Sequence, residues 1–474
     1  MALALMVSIG GTSQVVINEV SASNRSSFAD NFGEFEDWVE LYNTTGAAFD
    51  ISGYYLSDSQ NNTLKYQFPP GTTVPANGYL VIYASGRDLT TPPLHTDFKL
   101  NQTDNEWIVL SDAAGILIDD YQLQNPTKFE GSRGRTTDGA PTWSLFPVAT
   151  PNAANTGASA EYTAKPVLTP AAGFYPAAQN VTISSPVTGA QIYYTLDGST
   201  PSATSTLYAG PINIASTTVV RAIAIDPTPG VPSSFIETNT YFINVTHGIP
   251  VLSGSGDQLL DLLNGNGAIV PEGVLEYFGA DGLLKDEAYG EFDEHGQDSW
   301  AYDQRGVDYV ARDQSGYNNG INHQIFRTKS RDQYQRLIIK AAAGDNYEFG
   351  PGQPAHIRDA YVQALSQVGK LKLDERSYEP CIFYVNGEYW GVYDVREKVD
   401  DSDFTNYYYD QDKYDLQFLK TWGGTWSEYG GAQAQTDWDN LVNYIMANNM
   451  GDPVSFAYVD SLYNWESLID YFCI

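Results

Sequence analysis

CIFYVNGEYWGVYDVREKVD, residues 381–400, contains a strand, a two-residue turn and a second strand that runs into alternating charges. Asn386-Gly387 accepts positive φ at both turn positions, so the stretch is a β-hairpin. Strand periodicity places Tyr389, Gly391, Tyr393 and Val395 on one face of its second arm, with Trp390, Val392, Asp394 and Arg396 on the other. The charges of VREKVD (395–400) leave two readings open: the rim of a ligand cleft, or the solvated end of an ordinary hairpin.

Neighbouring segments set the fold around that hairpin. FRTKSRDQYQRLIIK (326–340) ends in a strand closed by Lys340. HIRDAYVQALSQVG (356–369) repeats Ile357, Ala360, Tyr361, Ala364, Leu365 and Val368 at three-to-four spacing and predicts an amphipathic helix. QTDWDNLVNYIMAN (435–448) and YVDSLYNWESLIDYFCI (458–474) read as further helices. Residues 268–474 thus pass from a β-rich part with one helix inside it to a helical part, an order that suits two lobes with a cleft between them.

Two β-rich regions come first. In residues 14–152, VVINEV (15–20), EDWVELYN (36–43), ISGYYLSD (51–58), GYLVIYA (78–84) and EWIVLSD (106–112) are short strands separated by Gly, Pro, Asn and Thr turns. That spacing describes an all-β sandwich. Residues 166–244 repeat the pattern with QIYYTLD (191–197) and TTVVRAIAID (217–226), joined through the turn DGSTP (197–201). Residues 153–165 and THGIPVLSGSG (246–256) read as joints.

Composition limits the partners. Fifty-eight acidic residues face 25 basic ones, a net charge of −33, so the surface repels nucleic acid and anionic lipid and attracts divalent cations. A saline or extracellular habitat accounts for the same charge. Cys381 and Cys473 make neither a disulfide framework nor a metal-ligand spacing. No stretch holds the roughly 20 apolar residues of a membrane helix. MALALMVSIGG (1–11) reads either as a clipped export signal, without its basic n-region, or as a mis-assigned start. The final apolar helical pattern ends without a cap, as in a fragment.

Three resemblances follow from these motifs. INEV, DWVELYN, ISGYYLSD, PANGYLVI and TPNAAN resemble a lamin-tail domain, an immunoglobulin-like sandwich. YYTLDGSTPS with LYAGPI and VVRAIA is similar to the fibronectin-like domain at the C-terminus of chitobiases and β-hexosaminidases. The Lys340 segment, the IRDA helix and YVNGEYWGVYDVREKVD resemble the CotH kinase family over roughly residues 300–474. The implied fold class is multidomain: two all-β sandwiches, then an α+β atypical protein-kinase-like domain that stops short at its C-terminal side.

The CotH resemblance implies transfer of phosphate from ATP, with Mg²⁺, to protein serines. It makes Lys340 a phosphate contact and Glu397 the carboxylate that holds its ammonium, with Arg327 and Arg336 as further basic positions. Metal ligands are unassigned, because the family's catalytic Asp…Asn segment and later metal-binding Asp are expected beyond Ile474. QSGYNNG (314–320) is too glycine-poor to read as a phosphate loop. Asp359 reads as a helix or lobe-packing contact, and Asp400 and Asp403 as helix-start residues. In the first region Glu19, Asp37 and Glu40 stand either for a calcium site or for carboxylates that pair locally. Tyr193 and Tyr194 offer glycan contact or a split between core and surface.

Two functions therefore compete. One is an exported, surface-associated protein kinase, which must meet its nucleotide in transit or in a compartment that holds it. The other is a non-catalytic extracellular protein whose sandwiches bind glycan or protein. Glycan hydrolysis needs two opposed carboxylates, and the sequence presents no such pair.

Overall fold

Val15–Ser21 is buried along its whole length and organises the first region. It lies inside a six-stranded sheet between Ser132–Arg135 and Asp37–Asn43, and a four-stranded sheet packs over it. Ile17, Val39, Leu41 and Ile82 of one sheet meet Leu56, Ile108 and Leu110 of the other. The computed structural model of the protein describes residues 14–296, 298–346, 354–413, 415–421 and 423–474; the apolar start, read above as an export signal, lies outside them.

The second region is a smaller sandwich of three and five strands. Its central strand Thr218–Ile225 directs Val220, Ala222 and Ala224 into the sandwich core. Val219, Arg221 and Ile223 face the other way and are buried as well. What covers that second face is the third region.

Seven strands of the third region close into a barrel. In order around it they are Val251–Ser255, Glu272–Phe278, Leu284–His295, Gly306–Ala311, Arg336–Lys340, Glu388–Glu397 and Tyr378–Val385. Leu252, Leu275, Phe292, Tyr309, Leu337, Ile339, Phe383 and Val395 fill its interior, and helix α1 (Leu259–Leu263) adds Leu259, Leu262 and Leu263 to the same core. The segment expected as a joint at 246–256 therefore supplies a barrel strand, paired parallel to Tyr378–Val385.

Outside the barrel lie α2 (Arg358–Gly369), α3 (Ser402–Tyr409), α4 (Gly431–Ala447), α5 (Pro453–Asp460) and α6 (Trp465–Cys473), with the hairpin Phe418–Thr421/Thr425–Tyr429 between α3 and α4. No helix among the described residues is long and apolar enough to cross a membrane. The helix read from 356–369 is present, but its apolar stripe is not its buried face. Tyr361, Leu365 and Val368 are exposed, while Ala360 and Ser366 are buried. The polar side bearing Asp359 and Gln367 meets the barrel, because the barrel wall there is charged.

One hairpin assignment also changes. A bulge between Phe383 and Tyr384, opposite Gly391 at φ 138°, shifts the register near the tip. Tyr393 and Val395 share the inner face as expected, whereas Trp390 packs inward and Tyr389 stays exposed.

The three regions are bonded to one another. Phe174 and Phe242 of the second stack at 4.2 Å and pack with Phe278 and Tyr384 of the barrel. The Glu276 carboxylate reaches from the barrel to accept the Thr240 N–H at 3.0 Å. Between first and third, Gln102 N–H donates to Asp313 Oδ2 at 2.8 Å, and Arg25 pairs with Glu272 and Glu291.

Candidate functional site

Strand alternation decides where the expected pair lies. Arg336–Lys340 runs antiparallel to Glu388–Glu397, with Leu337 opposite Glu397 and Lys340 opposite Asp394. Leu337, Ile339, Tyr393 and Val395 point into the barrel, so Lys340, Asp394 and Arg396 point out of it. Lys340 and Glu397 therefore face opposite sides of one sheet and do not pair.

Each has another partner. Lys340 Nζ donates to Asp359 Oδ2 of α2 at 2.7 Å, and buried Arg396 donates to the same oxygen. Arg396 also reaches Asp394 Oδ2 at 3.0 Å. Burial opposes ionisation of Asp359, but Arg396 and Lys340 outweigh it and hold the carboxyl down at about 2. Burial, together with Arg396, lowers the Lys340 ammonium, and Asp359 offsets part of that. Lys340 and Arg396 thus face two carboxylates, Asp359 and Asp394, in one ion-pair group.

Glu397 is fully buried and accepts from Arg331 Nη1 at 3.3 Å and from the Tyr408 hydroxyl at 3.0 Å. Burial raises its carboxyl against the opposing charge of Arg331. Here the glutamate ties α3 and the Arg331 loop to the barrel. Arg327 is largely exposed and bonds Glu379 at 2.8 Å, while Arg336 stands 3.5 Å from Asp401. Arg327, Arg336 and Lys340 thus answer to three different carboxylates.

A second line of charge crosses the same outer face. His295 Nδ1 meets Asp308 Oδ1 at 2.9 Å, and Lys398 Nζ donates to Asp308 Oδ2 at 2.9 Å. Lys398 lies 3.7 Å from Asp400, which Lys420 reaches at 2.6 Å. Burial opposes ionisation of Asp400, yet Lys398 and Lys420 bring it to about 2. Asp400 is thus an ion-pair residue, whereas Asp401 precedes α3 and Asp403 lies in its first turn. Sequence reasoning missed Lys420 and the pairing of Lys398 with Asp308 and Asp400, groups that meet only in the folded chain.

A cavity of about 1170 Å³ opens at the other end of the Arg336–Lys340 strand, between the first region and the third. Arg87, Lys99 and Asp104 line one wall, with Arg331, Arg336 and Tyr407 on the other. Arg336 lines it, whereas Lys340 and Glu397 do not. QSGYNNG packs on the second region: the Tyr317 hydroxyl donates to Ile236 O at 2.9 Å, and a side chain at Gly316 would meet the Phe235 ring at 2.7 Å.

The first region offers no metal cage. Glu19 and Glu40 are fully buried rather than solvated. Glu19 accepts from Thr150 N–H at 2.8 Å, and Glu40 from Asn18 and from Asn152 N–H. Burial pushes Glu40 up to about 8, with the nearby Glu19 and Asp138 carboxyls adding to the rise. Among the described residues no three His, Cys, Asp or Glu side chains are grouped to hold a metal ion. Tyr194 packs toward the second core, and Tyr193 donates to Gln191 at 3.1 Å.

The architecture agrees with comparison against known families. The Lamin Tail Domain model matches residues 10–125, the chitobiase/beta-hexosaminidase C-terminal domain model residues 170–237, and the CotH kinase protein model residues 311–474. No curated protein matches the chain. An acidic chain of two sandwiches and a barrel with trailing helices thus contains a lamin tail domain, a chitobiase/β-hexosaminidase C-terminal domain and a CotH kinase domain.

Proposed function

We propose that the chain belongs to an exported or surface-associated phosphotransferase that moves phosphate from ATP to protein serine hydroxyls. The observation that carries this reading is the Lys340–Asp359–Arg396 group within the CotH domain. A strand lysine held by a helix carboxylate presents its ammonium in a fixed place, as phosphoryl transfer requires. Asp359 takes the holding role first given to Glu397, and Lys340 remains the phosphate contact. ATP supplies the phosphoryl group and Mg²⁺ offsets its charge. Mg²⁺ at such sites needs only one or two carboxylates beside phosphate oxygens, so a three-carboxylate cage is not required of this chain. Lys340 and Arg396 would bind the phosphate, and buried Arg396 keeps Asp359 ionised while they do so. The lamin-tail and chitobiase-type modules support a place outside the cell or on its surface.

The test is titration of the chain with a fluorescent ATP analogue in Mg²⁺, beside Lys340→Ala. Asp359 keeps Arg396 in the variant, so the fold is retained. The expected result is at least tenfold weaker binding, about 1.4 kcal/mol. Equal affinity in both chains removes Lys340 from the site. No binding by either favours the non-catalytic surface protein.

A further inference from the structure

The signature turn of the second sandwich and the signature hairpin of the CotH domain occupy one another. Gly198, in the DGSTP turn, is buried at φ 80°, and a methyl group there would stand 2.0 Å from Asn386 Oδ1. Asn386 is itself fixed: its Oδ1 accepts Gly256 N–H at 3.0 Å, its Nδ2 donates to Gly256 O at 3.1 Å, and its N–H donates to Gly254 O at 2.8 Å. Gly387 backs onto Thr218, where a side chain would meet the Cα at 3.3 Å. From beneath, Arg221, 1% exposed, donates to Gly198 O at 2.8 Å, and Asp257 accepts the Thr200 N–H at 3.1 Å. Lower down the same hairpin, Ile382 and Tyr384 join the Phe242 cluster.

We infer that the second sandwich is an internal brace for the β-hairpin of the CotH domain, with its DGSTP turn committed to the Asn386-Gly387 tip. The braced hairpin is the one whose far end carries Asp394, Arg396 and Glu397. A turn engaged in this way is a docking surface for its own chain rather than an open end for a glycan. The inference stands whether or not the CotH domain transfers phosphate, since it rests only on the contact between the two modules.

Hydrogen exchange on the whole chain tests it. Gly198→Ala inserts a methyl into the contact, and Gly189→Ala is the control: Gly189 has φ 86° in the same module and nothing within 4 Å of an added side chain. The backbone strain is therefore matched and only the clash differs. We expect Gly198→Ala to speed exchange at the hairpin-tip amides around residues 384–390 at least tenfold, and Gly189→Ala to leave them unchanged. Asn386→Gly closes the cycle, because it removes the atoms that clash. With Asn386→Gly present, adding Gly198→Ala should change exchange no more than adding Gly189→Ala. Should Gly198→Ala fail to fold, recovery in the Gly198→Ala/Asn386→Gly chain supports the brace equally. Equal exchange in the two glycine variants, or the same increment with Asn386 removed, overturns it.

Discussion

Replacing Glu276 by glutamine removes an ionisable group from the seam between barrel and second sandwich. Glu276 is fully buried, and its carboxyl accepts the Thr240 N–H at 3.0 Å and the Thr240 hydroxyl. Burial first, then the nearby Glu287 carboxyl, raise it from its ordinary 4.5 to about 8. Between those values the folded chain keeps the proton and the unfolded chain has released it. Stability therefore falls as pH rises through this window, by about 1.4 kcal/mol per pH unit, and levels off above about 8. The ceiling is about 5 kcal/mol; Glu287, itself raised to about 7, shares the proton equilibrium, so about 2–3 kcal/mol is expected for the single site. Glutamine keeps an acceptor for Thr240 and does not ionise. Urea unfolding of both chains at several pH values from 5 to 8.5 is the assay. The variant should gain about 2–3 kcal/mol on the wild type across that range. Parallel stability curves would refute the reasoning.

Phe242→Ala empties the middle of the same seam, where Phe242 is fully buried, and should cost about 3–5 kcal/mol in urea unfolding. Asp359→Asn takes the carboxylate partner from Lys340 and leaves Arg396 paired with Asp394 alone. Asp359 is half-exposed, so solvent screening reduces the cost of a broken buried pair to about 1–2 kcal/mol, read from the same curves. Cys473 is exposed and Cys381 buried, so a thiol reagent should titrate one thiol in the folded chain and both in denaturant.

The sandwiches were legible because alternation and turn chemistry are local signals. TTVVRAIAID was read only as a sandwich strand, yet the structure covers both of its faces, and Arg221 finds carbonyl oxygen rather than water. Tertiary pairing was not legible. The motif placed Lys340 and Glu397 near one another in family terms, but a register three residues off alignment sends their side chains to opposite faces. Helix α2 misled for a related reason, since periodicity shows which stripe is apolar but not whether the neighbouring wall is charged. Lys398 and Lys420 converge on Asp400 only through strands that meet in space, and no sequence spacing encodes that.

The barrel's first strand has a consequence for how the chain must be made. Val251 pairs with Ile382, a partner about 130 residues further on, a separation that slows closure. During synthesis that strand emerges long before its mate and waits with one edge bare, a hazard for sticking to other chains. A nascent chain cut anywhere between the two would carry two finished sandwiches beside an open sheet. Expression trials that shorten this protein should place their endpoint after Glu397, where the last seam of the cylinder is stitched.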